Sequence, residues 1–216
     1  MIRTIPLVCV MSMALVVSSG LATPLDPADA RDKVRERLAQ LQNYQADFAQ
    51  SVTDGNGELL EESTGQFWLA RPNRFRWEYQ LPWPRLILSN GERIWLYDEE
   101  LEQVTVRNFD GVLEQTPAAL LAGRLELLDA YRVTGDCSEG ILTVRLVPEQ
   151  ARADFRSIEI TFADDLLTEM RLQDSFGQLT RITFASIDSN ASPEDGLFDF
   201  VVPEGADVID ESGGPG

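Results

Sequence analysis

The chain contains no histidine. That removes His-based catalytic triads, His-ligated zinc and the side chain that most often moves protons near neutral pH. Carboxylate pairs stay open in principle, but no motif singles one out, so the expectation is a protein that is not an enzyme. Basic residues are also scarce: 18 Lys and Arg stand against 36 Asp and Glu, for a formal charge of −18. Such a balance argues against nucleic acid and against resting on an anionic membrane surface. The acids are scattered, with no Asp-rich loop of calcium-binding spacing, and neither metal nor cofactor is expected.

A long hydrophobic run is missing as well. The apolar stretch Ile5–Val17 is short of the ~20 residues a membrane span needs and contains Pro6. With Arg3 before it and Ser18, Ser19, Gly20 and Ala22 after it, it reads as a cleavable export signal ending at Ala22. Cys9 lies inside this run rather than directly after it, so no lipid anchor is expected. Removal of residues 1–22 leaves Cys137 alone, which excludes an intramolecular disulfide. Residues 23–216 are then expected as one exported domain held by its core, free in the periplasm and monomeric.

What is present is mostly a succession of short strands. Asp26-Pro27 offers an N-cap and a first-turn proline, followed by Ala30, Val34, Leu38 and Leu41 at helical spacing. From Ala46 onward the period becomes two. Strands are expected at 65–70, 75–80, 85–89, 93–97 and 101–106, with Asn90-Gly91 the strongest hairpin signal. Thr116-Pro117 opens a short helix that is apolar from Ala118 to Ala122 and stops at Gly123, and a second helical piece is expected over 125–131. Strands resume at 133, 141–147, 157–162, 168–173, 179–186 and 198–202, and residues 211–216 are expected as a disordered tail. This is a mainly β (α+β) chain: about eleven strands in a meandering antiparallel sheet, with one leading helix and a helical insertion.

The stretch LARPNRFRWEYQLP, residues 69–82, puts Phe75, Trp77 and Tyr79 on one face of a strand. Alternate aromatics of this kind suit an ordinary core. The segment Ile94–Tyr97 is apolar on both faces, and the 118–122 helix is apolar all round, so these residues either fill a core or line a cavity. Composition does not separate the two.

Four segments carry a resemblance: VTDGNGELLEESTGQFWLARPNRFRWEYQLP, LILSNGERIWLYDEELEQVTV, TPAALLAG and FDFVVPEGADVID. Together they resemble the periplasmic outer-membrane lipoprotein carrier family, LolA, in order through residues 29–210. The R-P-N-x-F-x-W and SNG-x-x-x-W-x-Y portions are the most specific. The resemblance implies an unclosed antiparallel β-barrel whose helices cover a hydrophobic cavity. It also implies a chaperone that takes acylated lipoproteins from an inner-membrane ABC transporter and passes them to an outer-membrane lipoprotein receptor. The alternative within the same fold is a lipoprotein-sensing or hydrophobic-ligand-binding domain of envelope stress signalling. The resemblance further assigns Arg71 as a latch to the lid helix, at positions Leu121, Ala122 and Gly123, and assigns Phe75 to lipoprotein handling. Trp77, Tyr79, Trp95 and Leu120 join Phe75 as expected acyl-chain cavity residues. Arg74 and Arg76 depart from the less charged residues common at those family positions.

Helix-end electrostatics favour such a latch independently of the resemblance. A helix ending near Gly123 leaves its last carbonyls without intrahelical partners, at the negative end of the helix dipole. A guanidinium offers several donors in a fixed fork, and each charge-assisted bond contributes ~1.5–3 kcal/mol.

Overall fold

The computed structural model of the chain describes residues 23–109, 121–150 and 155–213. The proposed export signal, Leu120 and the start of the 116–123 helix therefore lie outside the described residues. So does the tail beyond 213.

After a two-residue strand β1 (Thr23–Pro24), helix α1 spans Pro27–Gln40. Asp26 accepts a hydrogen bond from the Ala28 amide at 2.9 Å, and Pro27 occupies the first turn. Ala30, Val34 and Leu38 are fully buried, as their helical spacing predicts. A first meander follows: β2 (Asn43–Thr53), β3 (Leu59–Ala70), β4 (Arg74–Leu81), β5 (Arg85–Asn90), β6 (Arg93–Asp98) and β7 (Gln103–Asn108). The second helical piece is a 3-10 turn, Leu125–Ala130, which hands over at Tyr131 to the next strand. A second meander comprises β8 (Tyr131–Ser138), β9 (Ile141–Pro148), β10 (Phe155–Ala163), β11 (Leu166–Asp174) and β12 (Leu179–Asp188), and β13 spans Asp207–Asp210.

All these strands belong to one sheet in the order β1-β8-β9-β10-β11-β12-β2-β3-β4-β5-β6-β7-β13. The two meanders join where β12 pairs with β2. The edge strands β1 and β13 do not meet, so among the described residues the sheet stays open. Every pairing is antiparallel except β13 on β7. The sheet has 13 strands rather than about eleven, the additions including β1 and β13.

The expected strand at Phe198–Val202 does not form. Its alternating aromatics instead dock on the outer sheet face: Phe200 stacks on Trp95 at 5.7 Å and Arg74 lies over the Phe198 ring at 5.4 Å. The first residues assigned to a disordered tail are tied down. The Glu211 amide donates to the Val106 carbonyl at 2.8 Å, and Asn108 donates to the Ser212 carbonyl at 2.5 Å.

Register separates the two faces. On the inner face Phe75 pairs with Leu69, Trp77 with Phe67 and Ile87, and Tyr79 with Gly65 and Arg85. Across β2 and β12, Phe48 pairs with Phe184. The resulting aromatic core includes Phe67–Trp77 at 4.6 Å, Phe48–Trp77 at 5.4 Å and Trp77–Phe184 at 6.3 Å. Gly65 makes room for it. A Cβ there would sit 1.9 Å from the Glu78 carbonyl oxygen and 2.8 Å from the Phe48 ring.

The outer face of β5–β7 carries a separate apolar layer, with Leu88 and Val104 fully buried beneath the C-terminal segment. Trp95 belongs to this layer. It pairs with Leu88, which pairs with Arg76, on the face opposite Phe75 and Trp77. Its assignment to the cavity wall is therefore corrected. Ile94 and Leu96, its neighbours in sequence, are the β6 residues that join the inner core.

Candidate functional site: a guanidinium between two helix ends

The β3–β4 turn places Arg71 beside the ends of two helices. Its Nη2 nitrogen donates to the Leu38 carbonyl of α1 at 2.6 Å and to the Leu121 carbonyl at 3.2 Å. Both acceptors belong to last helical turns, where partial negative charge collects and the regular intrahelical bonds run out; the Leu38 carbonyl otherwise receives only the capping Leu41 amide, at 3.3 Å. Leu121 and Ala122 are helical and buried, and Gly123 ends the helix at φ +116°. Burial lowers the Arg71 pKa from its ordinary value by stripping water from the cation.

The three expected lid positions divide their work. Leu121 alone gives its carbonyl to Arg71. The Ala122 carbonyl accepts the backbone N–H of Asn73 at 3.2 Å, so the turn's main chain also grips the helix end. The Gly123 carbonyl accepts from Leu125 instead, at 2.8 Å. Gly123 contributes space: a Cβ there would lie 3.1 Å from Arg71 Nη1. With positive φ as well, this position accommodates the guanidinium because it has no side chain.

Leu38 was not identified as a partner of Arg71 in the sequence. The available signal was that its helix ends at Gln40, leaving its carbonyl among the last four. The Arg71 amide reinforces the same junction by donating to the Gln42 carbonyl at 2.8 Å. One turn thus holds both helices by side chain and backbone.

The two most specific sequence segments meet at this turn. Ser89, fully buried before the Asn90-Gly91 hairpin, donates to the Asn73 carbonyl at 2.7 Å and accepts the Gly91 amide at 3.1 Å. Asn90 Oδ1 accepts the Glu92 and Arg93 amides, both at 3.0 Å. The SNG hairpin therefore props the R-P-N turn from behind.

Phe75 and Trp77 are 3% and 8% exposed, and Tyr79 packs against the same core. Burial pushes the Tyr79 hydroxyl up to about 12. Arg74 and Arg76 face outward, Arg76 bonding Glu78 at 2.6 Å, so their charges do not enter the aromatic wall. Helix α1 packs into the same core, lying against β8 and the 3-10 turn. Its other end is held where Arg31 donates to the Leu128 and Tyr131 carbonyls at 3.2 and 2.7 Å.

Among the described residues no group of three or more potential metal ligands converges, and no helix is long and apolar enough to cross a membrane. The arrangement is an aromatic core packed beside a pinned pair of helix ends.

Comparison with known proteins points the same way. The family model described as "Outer membrane lipoprotein carrier protein LolA" matches residues 39–201. An outer-membrane lipoprotein carrier protein of Chromohalobacter salexigens is 40% identical over 205 residues, covering 93% of this chain and 97% of the relative. One from Azotobacter vinelandii is 40% identical over 198 residues, covering 89% and 96% respectively. The crystal structure of an uncharacterized conserved protein from Thermus thermophilus superposes with a TM-score of 0.54 at 12% identity. It covers 83% of this chain and 98% of that one, a likeness of fold alone.

Proposed function

The chain belongs to the outer-membrane lipoprotein carrier family, LolA, and from that premise we propose how it works. It is a periplasmic, monomeric chaperone that accepts acylated lipoproteins from an inner-membrane ABC transporter and delivers them to an outer-membrane receptor. It acts by binding rather than by catalysis. The acyl chains are taken up against Phe75, Trp77 and Tyr79 when α1 and the Leu121 helix end move off the sheet.

The observation that carries this reading is the convergence of two helix ends on Arg71 above an aromatic wall. Burying an acyl chain yields ~0.8 kcal/mol per methylene, so several enclosed chains would be held too tightly to pass on. In the closed form Arg71 regains its bonds to Leu38 and Leu121, and the rings of the wall regain one another. That closure offsets part of the gain from holding cargo. A carrier needs this balance, since it must capture and then surrender the same ligand.

The direct test adds the purified protein, without its signal, to spheroplasts containing radiolabelled lipoprotein. Appearance of labelled lipoprotein in the soluble fraction, bound to the protein, is expected. Retention of all label in the membranes would overturn the carrier reading.

A further inference from the structure

Beyond the aromatic wall, the inner face continues into a groove of about 440 Å³ whose polar residues the latch does not use. Its lining includes Gln50, Glu61, Tyr79, Arg85, Ile87 and Leu96, drawn from five neighbouring strands. Register places Tyr79, Arg85, Ile87 and Leu96 on the inner face, and Tyr79, Ile87 and Leu96 pack against the main core. The groove is therefore an extension of the aromatic wall, at the end of the strands away from Arg71.

Arg85 is unusual for such a place. Its guanidinium lies over the Tyr79 ring at 5.1 Å, while Nη2 reaches Glu61 at only 3.3 Å. Its Nε is buried and has no hydrogen-bond partner among the described residues. The indole nitrogen of Trp77, one residue pair deeper on the same face, is likewise buried without a partner. Trp77 and Tyr79 stack at 6.5 Å, so the two unused donors flank one aromatic step. A site for hydrocarbon alone has no use for such donors, because each buried unpaired N–H is costly. Tyr79 donates to Gln50 at 3.2 Å and Ser63 donates to Glu61 at 2.7 Å, so both hydroxyls are engaged, while the partly exposed Arg85 keeps its Nε–H free.

Every acyl chain ends in a carbonyl, and that carbonyl marks where the hydrocarbon stops. We propose that this groove is a polar subsite for the ester or amide carbonyls at the head of the acyl chains, with Arg85 as donor and Tyr79 as the platform beneath it. The inference rests on the carrier reading above and adds to it a depth gauge. Chains enter the aromatic wall until their carbonyls reach Arg85. The subsite then favours acyl cargo over hydrocarbon of equal length.

The test compares a synthetic diacylated lipopeptide carrying ester-linked chains with an analogue whose chains of equal length are ether-linked and lack carbonyls. Affinities are read by displacement of a fluorescent alkyl probe from the folded protein. The wild-type chain is expected to prefer the ester form about tenfold, the value of roughly one charge-assisted hydrogen bond. Arg85→Met should bring that preference within about twofold, and Arg85→Lys should keep about threefold. Equal binding of the two lipopeptides by the wild type, or an undiminished preference in Arg85→Met, would overturn the subsite while leaving the carrier reading intact. Binding of neither lipopeptide by the wild type would overturn both.

Discussion

The two faces of the sheet are both covered by parts of the same chain, yet the covers are fastened differently. On the outer face the C-terminal segment lays Phe198 and Phe200 over β5–β7 and is then stitched in place. β13 forms a parallel ladder with β7, and Arg107 pairs with Glu211 at 2.7 Å. On the inner face α1 and the Leu121 helix contribute no strand to the ladder. At the end nearest the β3–β4 turn they are held by Arg71 and by main-chain bonds from Arg71 and Asn73. A ladder-bound cover opens only by breaking a row of backbone hydrogen bonds, whereas a cover pinned at helix ends opens as a body. Under the proposed function, the same apolar chemistry then makes a permanent core on one side and an accessible one on the other.

The largest effect that sharpens this contrast is on stability. Trp95→Ala should lower the unfolding free energy by about 3 kcal/mol, seen in urea titrations, because it removes the ring under Phe200. Lipopeptide affinity of the folded fraction should stay unchanged. A substantial loss of affinity in that fraction would break the separation of the faces. Gly123→Ala should cost only about 1 kcal/mol through its positive φ and its approach to Arg71. Its main effect should be slower release of bound lipopeptide to acceptor, by about threefold, measured as a transfer rate. An unchanged rate would show that crowding the guanidinium does not loosen the lid.

Much of the architecture was legible because turns and periodicity are local. Asn90-Gly91, the period-two alternation of β4 and the stripe of α1 each depend on residues close in sequence. Arg71 stood out through a motif, and its bond to Leu121 matches what the resemblance implied. Leu38 did not stand out, because an arginine's choice of carbonyl across 33 positions leaves no periodic trace. Trp95 was assigned to the wrong face for a different reason. A strand covered on both sides loses its alternation, and Ile94–Tyr97 then gives no sign of which residues point where. Phe198–Val202 alternates like a strand because two aromatics share one docking surface. Arg85 looked like an ordinary strand end until register placed it beside Tyr79.

In the proposed cycle, closing the lid with Arg71 drives cargo off. This step is tested most directly by loading wild-type and Arg71→Leu proteins with the same radiolabelled lipoprotein and then presenting the purified outer-membrane receptor. Leucine fills similar apolar volume but cannot donate to the Leu38 and Leu121 carbonyls. Loading should match wild type within about twofold, while transfer should fall at least tenfold, the scale set by losing one or two charge-assisted bonds. Transfer by Arg71→Leu at the wild-type rate would contradict the latch.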